Sequence, residues 1–279
     1  MIKIATTFSL LMLSVSLCFS WGPVGHETVG YIAEDNLTST AKLRIHKLLG
    51  SDSSLASLAN WADQIRGSRP STAHWHFIDI EDRQILRKKD ESSFCIHGDC
   101  VVDQITKDIR TLKDSTVTDS IKVEALRYLV HFMGDIHQPL HCADDSDRGG
   151  NDKIVRFKPP ADSTTSGRKI KLHALWDDLI ETKATDDPRA LATTLENSIS
   201  DKQKMKWGSG SPADWAWESY LIAKADIYSK FSPGKTSDSN GVALSQDYYA
   251  PKMRNIVNSQ LSKAGIRLAF VLDGIFGSP

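Results

Sequence analysis

His131 and Asp135 stand four residues apart in the stretch ALRYLVHFMGDIHQPLH (125–141), where Leu126, Leu129, Val130 and Met133 recur at helical spacing. That interval stacks an imidazole and a carboxylate on one face of an otherwise apolar helix. A charged group in such a setting is costly unless it is paired or binds a metal. Metal ligation is therefore the first reading of the pair, and a His–Asp hydrogen bond the second. Pro139 disfavours helix at Gln138. His141 follows that break, where the chain can turn it back toward the same cavity.

A second pair with the same interval, His173 and Asp177, opens a later helical run. His26, Asp63 and His76 add further imidazoles and carboxylates in apolar or turn settings. Singly, each has a plainer reading, since a lone buried histidine is more often a hydrogen-bonded core residue than a ligand. Together they make a donor set of neutral imidazole and carboxylate, which favours zinc, with manganese and iron as alternatives.

The elements that must position these residues are mostly helical. A helix follows His26 with Val29, Ile32 and Ala33 as its apolar stripe, and another runs from Ala41 to Leu49 and ends at Gly50. Residues 51–66 read as a single capped helix carrying Asp63 and Arg66 on one flank. Residues 74–82, with His76, Phe77 and Asp79, read as a short extended segment or a helix-free turn, and 83–90 as a solvated basic loop. Val101–Leu112 is amphipathic, and DDSDRGGND (144–152) has turn chemistry throughout. The alternating runs 153–157 and 168–173 predict a small β-hairpin. Further helices are expected over 190–199, 213–231 and 249–276, with a polar connection at 232–241. No repeat or domain boundary interrupts the chain, so the fold class expected is mainly all-α, one domain over 21–279 with a small hairpin.

The chain has 279 residues, 40% hydrophobic and 25% charged, with a net charge of −1. These values fit a soluble globular protein and advertise no basic surface for nucleic acid. A polyanionic substrate would have to be held by fixed cations other than Lys and Arg. Residues 1–20, one Lys followed by an apolar run and small residues, read as a secretory signal cleaved after Ser20, placing the mature protein outside the cell or in a periplasm. Cys18 leaves with it. Cys95 and Cys100 lie close in a Gly-containing loop and predict a local disulfide, while Cys142 reads as a buried free thiol. Asn36-Leu-Thr is a glycosylation sequon for a eukaryotic host.

In order along the chain come Trp21, His26, Trp61-Ala-Asp63-x-x-Arg66, His76-Phe-Ile-Asp79, His131-Phe-x-Gly-Asp135-x-x-Gln-Pro-Leu-His141, Gly149-Gly-Asn151 and His173-x-x-Trp176-Asp177. This order resembles the S1/P1 family of zinc-dependent single-strand nucleases, most strongly over 21–177. The resemblance implies the helical fold shared with zinc-dependent phospholipase C, and three Zn²⁺ ions. One would be held by Asp63, His76, His131 and Asp135. A second would take the free amine and carbonyl of Trp21, His26 and a shared oxygen of Asp135, and a third His141, His173 and Asp177. An amide nitrogen is a poor ligand, so the Trp21 role would require the leader to be removed. Three divalent ions against three aspartates leave about +3 in one cleft, enough to capture a phosphodiester without a basic surface.

The resemblance further implies single-stranded DNA and RNA as substrates, attack by a metal-bridging hydroxide, 5′-phosphate products and 3′-nucleotidase activity. Asp63 and Arg66 would be catalytic, with Arg66 stabilising transition-state charge; an i,i+3 helix salt bridge is its plainer role. Phe77 would stack a base, and Asp79 and Asn151 would bond its edge. Stacking requires an unpaired base. In plainer roles Phe77 is core and Gly149-Gly150-Asn151 a turn. His137 matches no ligand and reads as second shell or exposed. A monomer with no protein partner and no membrane contact is expected. The rivals are a zinc phospholipase C and a secreted zinc-binding protein without turnover.

Overall fold

The computed structural model describes residues 21–50, 53–81, 95, 98–157, 168–178, 187–230, 242–244 and 246–277. The leader, the 83–90 loop, the hairpin connection and the 232–241 connection lie outside these. The fold is mainly α with a small β element, as the sequence pattern predicts. Eleven helices are described: α1 (Pro23–Asn36), α2 (Ser39–Leu49), α3 (Leu55–Leu58), α4 (Trp61–Arg66), α5 (Val101–Lys113), α6 (Asp119–Asp135), α7 (Leu172–Asp178), α8 (Pro188–Glu196), α9 (Asp201–Trp207), α10 (Pro212–Ile222) and α11 (Gln246–Phe276). None of the described helices is long and apolar enough to cross a membrane.

Helix α6 is the axis of the molecule. Every residue from Tyr128 to Asp135 is buried, so its C-terminal half is enclosed on all sides. Helices α1, α4, α5 and α11 pack around it, and the hydrophobic cluster built on them runs from Trp21 to Leu272. Local chemistry sets the flanking helices. Pro23 occupies the first turn of α1, where its missing N–H costs nothing. Thr38 caps α2, and reciprocal Ser54–Ser57 and Ser211–Asp214 boxes cap α3 and α10.

Several boundaries differ from the sequence reading. The helix expected over 51–66 is two, α3 and α4, separated at Ala59–Asn60. Helix α6 stops at Asp135, before the break expected at Gln138, because the amides of His137 and Gln138 bond three residues back, to Gly134 and Asp135. Gln138 is extended, as a residue before proline should be, and its side chain accepts from the Leu140 amide. Residues Pro70–His76 form a 3₁₀ helix, so His76 ends a helical turn, and only Phe77 onward is extended. A short helix, α9, lies between two of the main helical candidates, in a stretch whose pattern reads as helical from Pro188 onward.

The hairpin forms from β1 (Ile154–Phe157) and β2 (Arg168–Lys171), paired antiparallel with Ile154 opposite Lys171. A third strand, β3 (Val242–Leu244), lies parallel to β1. Three residues are too few for alternation to reveal, and a parallel partner some ninety residues away leaves no local signal. Cys95 and Cys100 are bonded, and Cys142 is a buried free thiol whose ionisation is pushed upward by burial. Asn36 of the sequon donates its side-chain amide to Ile32 O and Glu196 Oε1.

Asp108 of α5 is buried, and its Oδ2 has no hydrogen-bond partner among the described residues. Burial, opposed by Lys107 and reinforced by Glu124 of α6, pushes its carboxyl up to about 8. The folded chain keeps a proton there that the unfolded chain loses near the ordinary value of 3.8. This group therefore lowers stability progressively as pH rises from about 4 to about 8. Asp108→Asn should unfold at higher urea, by about 1–3 kcal/mol at pH 8, with the difference shrinking toward pH 4. A difference independent of pH would rule out the buried carboxyl as its source.

Candidate metal centre and cleft

Six separate segments deliver the predicted ligands to one place. Helix α6 contributes His131 and Asp135, both fully buried. Helix α1 brings His26, whose Nε2 lies 3.5 Å from Asp135 Oδ1. The ring of His26 stacks on that of His131, with centroids 4.0 Å apart. The 3₁₀ turn ending at His76 sets its Nδ1 2.9 Å from Asp135 Oδ2 and 3.8 Å from Asp63 Oδ1 of α4. His131 Nε2 is 3.2 Å from Asp135 Oδ2 and 3.8 Å from Asp63 Oδ1. Past Pro139, His141 turns back as expected and faces His173, whose Nε2 is 3.6 Å from Asp177 Oδ2.

Donor atoms thus fall into three groups, each within 4.8 Å: His26, His131 and Asp135; Asp63, His76 and His131; His141, His173 and Asp177. Cys95, Cys100 and Asp103 also lie close, but the disulfide removes both thiolates as ligands.

The hydrogen bonding fits metal ions. His26 Nδ1 and Nε2, Asp63 Oδ1, Asp135 Oδ1 and His141 Nε2 are buried and have no hydrogen-bond partner among the described residues. Leaving so many polar atoms unpaired in one cavity would cost several kcal/mol, about 1–3 for each. The opposite nitrogens of the rings are engaged: His131 Nδ1 donates to Ala59 O at 2.7 Å, His141 Nδ1 to His76 O at 2.8 Å, and His173 Nδ1 to Gly149 O at 2.7 Å. These bonds fix the tautomer and leave each Nε2 lone pair aimed inward. Burial lowers the basicity of His26, His141 and His173, the last to about 3, so these rings stay neutral. At His131 burial is outweighed by the Asp135 and Asp63 carboxylates, which raise it to about 9. Asp135, despite its burial, is held well below the usual carboxylate range by His131 and His76. The pocket demands positive charge.

Trp21 is fully buried, and the neighbouring Gly22 amide bonds the Asp177 carbonyl at 3.3 Å, which sets the start of the described chain against α7. Arg66 pairs with Asp63 at 3.5 Å and also lines a cleft of about 480 Å³ in front of the His/Asp groups. Phe77, Asp79 and Asn151 line the same cleft, so the predicted base-binding residues are brought together. Asn151 Nδ2 donates to Arg148 O within the 144–152 turn. Partial burial, then Asp144 and Glu81, push the Asp79 carboxyl up to about 6, against the pull of His74.

A model of the S1/P1 nuclease family matches residues 21–277. The chain belongs to that family. It is 31% identical to Nuclease P1 of Penicillium citrinum over 276 residues, covering 92% of this chain and 98% of the relative. It is 31% identical to Endonuclease 2 of Arabidopsis thaliana, covering 92% and 91%, and 29% identical to Nuclease S1 of Aspergillus oryzae, covering 99% and 97%.

In this S1/P1 chain several residues that sequence reasoning gave no role prove to shape the site. Gln138 Nε2 donates to Asp177 Oδ1 at 2.8 Å while its Oε1 holds the Leu140 amide, tying one ligand pair to the turn after α6. His137 is buried rather than exposed: Nδ1 donates to Met133 O, and Arg267 of α11 donates to Nε2 at 2.8 Å. The C-terminal helices therefore supply a strut as well as core. Gly149, at φ +62°, places its carbonyl on His173 where a side chain would strike Leu140 O.

Gly134 is the most exacting. A Cβ there would stand 2.6 Å from His26 Nδ1, so only glycine lets that ring lie flat against α6. Its position inside a buried apolar helix was the available signal, since such a glycine costs about 1 kcal/mol and needs a packing reason. Gly134→Ala should retain the far-UV circular dichroism of the parent and lose about 10–100-fold in zinc affinity, read by chelator competition. Parental affinity would place His26 outside the ligand set.

Proposed function

We propose that this chain is a zinc-dependent phosphodiesterase hydrolysing single-stranded DNA and RNA to 5′-phosphate products, with 3′-nucleotidase activity at the same site. The observation that carries the reading is the set of buried, unpartnered ring nitrogens and carboxylate oxygens converging behind one open cleft. Three Zn²⁺ ions would be held by Asp63, His76, His131 and Asp135; by Trp21, His26 and Asp135; and by His141, His173 and Asp177. When bound, the ions supply Lewis acidity and concentrated positive charge for a phosphodiester.

The chain's own residues do the rest. Arg66, anchored by Asp63 at the cleft wall, carries a fixed guanidinium to offset charge developing on the phosphorane-like transition state. Phe77 offers a ring face to an unpaired base, and Asp79 and Asn151 offer hydrogen-bonding groups to its edge. Hydrolysis breaks the P–O3′ bond and leaves the phosphate on the 5′ side. The family assignment favours nucleic acid over a phospholipid headgroup.

The mature protein is read as a secreted or periplasmic monomer beginning at Trp21. Removal of the leader frees the Trp21 amine, and a nitrogen locked in a peptide bond is a poor ligand.

Asp63→Asn should lower kcat/KM on single-stranded DNA by about 10²–10³-fold or more. Phe77→Ala should act mainly on KM, raising it about ten-fold. An Asp63→Asn enzyme with parental turnover sinks the catalytic assignment. One residue added ahead of Trp21 should lower both zinc content and activity. Full activity with the extension intact by mass spectrometry would refute the terminal-ligand role.

A further inference from the structure

Three cations line the cleft, and they differ in what already holds them. Arg66 is paired with Asp63, and Arg148 grips Asp152 through Nε at 2.9 Å and through Nη2. Lys171 has no carboxylate within salt-bridge distance and no hydrogen-bond partner for Nζ among the described residues. Its charge reaches Asp152, which Arg148 already engages, and His173. Half-buried at the last position of β2, it lies two residues before His173 and opposite Ile154. The alternation of the strand sends Ile170 toward the core and Lys171 to the cleft side.

This position is fixed by structure rather than by a mobile loop. The Leu172 amide bonds Lys153 O at 2.7 Å and the His173 amide bonds Gly150 O at 3.3 Å, so the backbone just after Lys171 is pinned to the 144–153 turn. An ammonium carried on this pinned backbone, with no carboxylate paired to it among the described residues, lines the same cleft as His141 and His173 and is a point charge suited to a phosphate oxygen. The cleft, at about 480 Å³, exceeds the lower bound of about 300 Å³ for ligand pockets and leaves room beyond the reacting group.

We infer that Lys171 is a specificity-determining residue that binds a non-bridging oxygen of a second phosphate, one nucleotide away from the phosphodiester being cleaved. This rests on the nuclease reading above and deepens it. It makes the enzyme prefer oligonucleotides to substrates with a single phosphate, using one cation on a chain whose net charge is −1.

The test compares kcat/KM for a trinucleoside diphosphate with that for a dinucleoside monophosphate. In the parent enzyme the ratio should be about ten, as expected when one good phosphate contact is gained. Lys171→Gln should bring it close to one and reduce the slope of log KM against log salt by about 0.7. Lys171→Arg, which keeps the charge, should preserve most of the preference. A ratio unchanged in Lys171→Gln, or lost equally in Lys171→Arg, overturns the assignment while leaving the nuclease reading intact. A parent enzyme that cleaves neither substrate overturns both.

Discussion

A carboxylate with no exposed surface, set among imidazoles at the end of the most enclosed helix, is the constraint on which the rest of this structure depends. Asp135 lies within 2.9–3.5 Å of nitrogens from His26, His76 and His131. An isolated ion at that depth would be prohibitively costly, so the cation that accompanies it must be strongly held. Much of the surrounding architecture serves to bring compensating groups to this one residue. Helix α1 crosses α6 at a glycine, α4 turns a second carboxylate inward, and a 3₁₀ turn rather than a strand presents His76. His131, His141 and His173 are locked by backbone carbonyls, so the orientation of these three rings does not depend on the ions they are suited to hold.

This arrangement explains how a protein with a net charge of −1 can handle a polyanion. With metal ions held as proposed, positive charge would be concentrated at the floor of the cleft, while the walls mix Arg66 and Lys171 with Asp79 and Asp144. Such a distribution would suit one or two phosphates and an unstacked base rather than a long charged track. The apolar core, shared by helices from both ends of the chain, backs the floor with low-dielectric material that strengthens its electrostatics.

The two His-x-x-x-Asp pairs were legible from spacing alone, because the i,i+4 interval has geometric meaning wherever a helix forms. His26, Asp63 and His76 were legible as candidates from residue type and setting, but their grouping only through the order of motifs, since convergence of separate segments leaves no periodicity in the sequence. The helical content and the hairpin followed from pattern and turn chemistry. The break between α3 and α4 and the third strand did not, the strand because its partner lies far away in the chain. Gln138 shows the limit well. Nothing local distinguishes it from any residue preceding a proline, yet it secures Asp177.

Helices α1 and α11 form the most extensive helix pair among the described residues, and Gly265 of α11 comes so close that a Cβ would stand 2.5 Å from Ile32. More than two hundred positions separate them in sequence, a long loop to close and a slow one. The helix that carries His26 therefore meets its principal neighbour through a contact of long sequence separation, which closes late in folding. Alignment of that imidazole is a property of the packed fold as a whole and not of the segment that bears it.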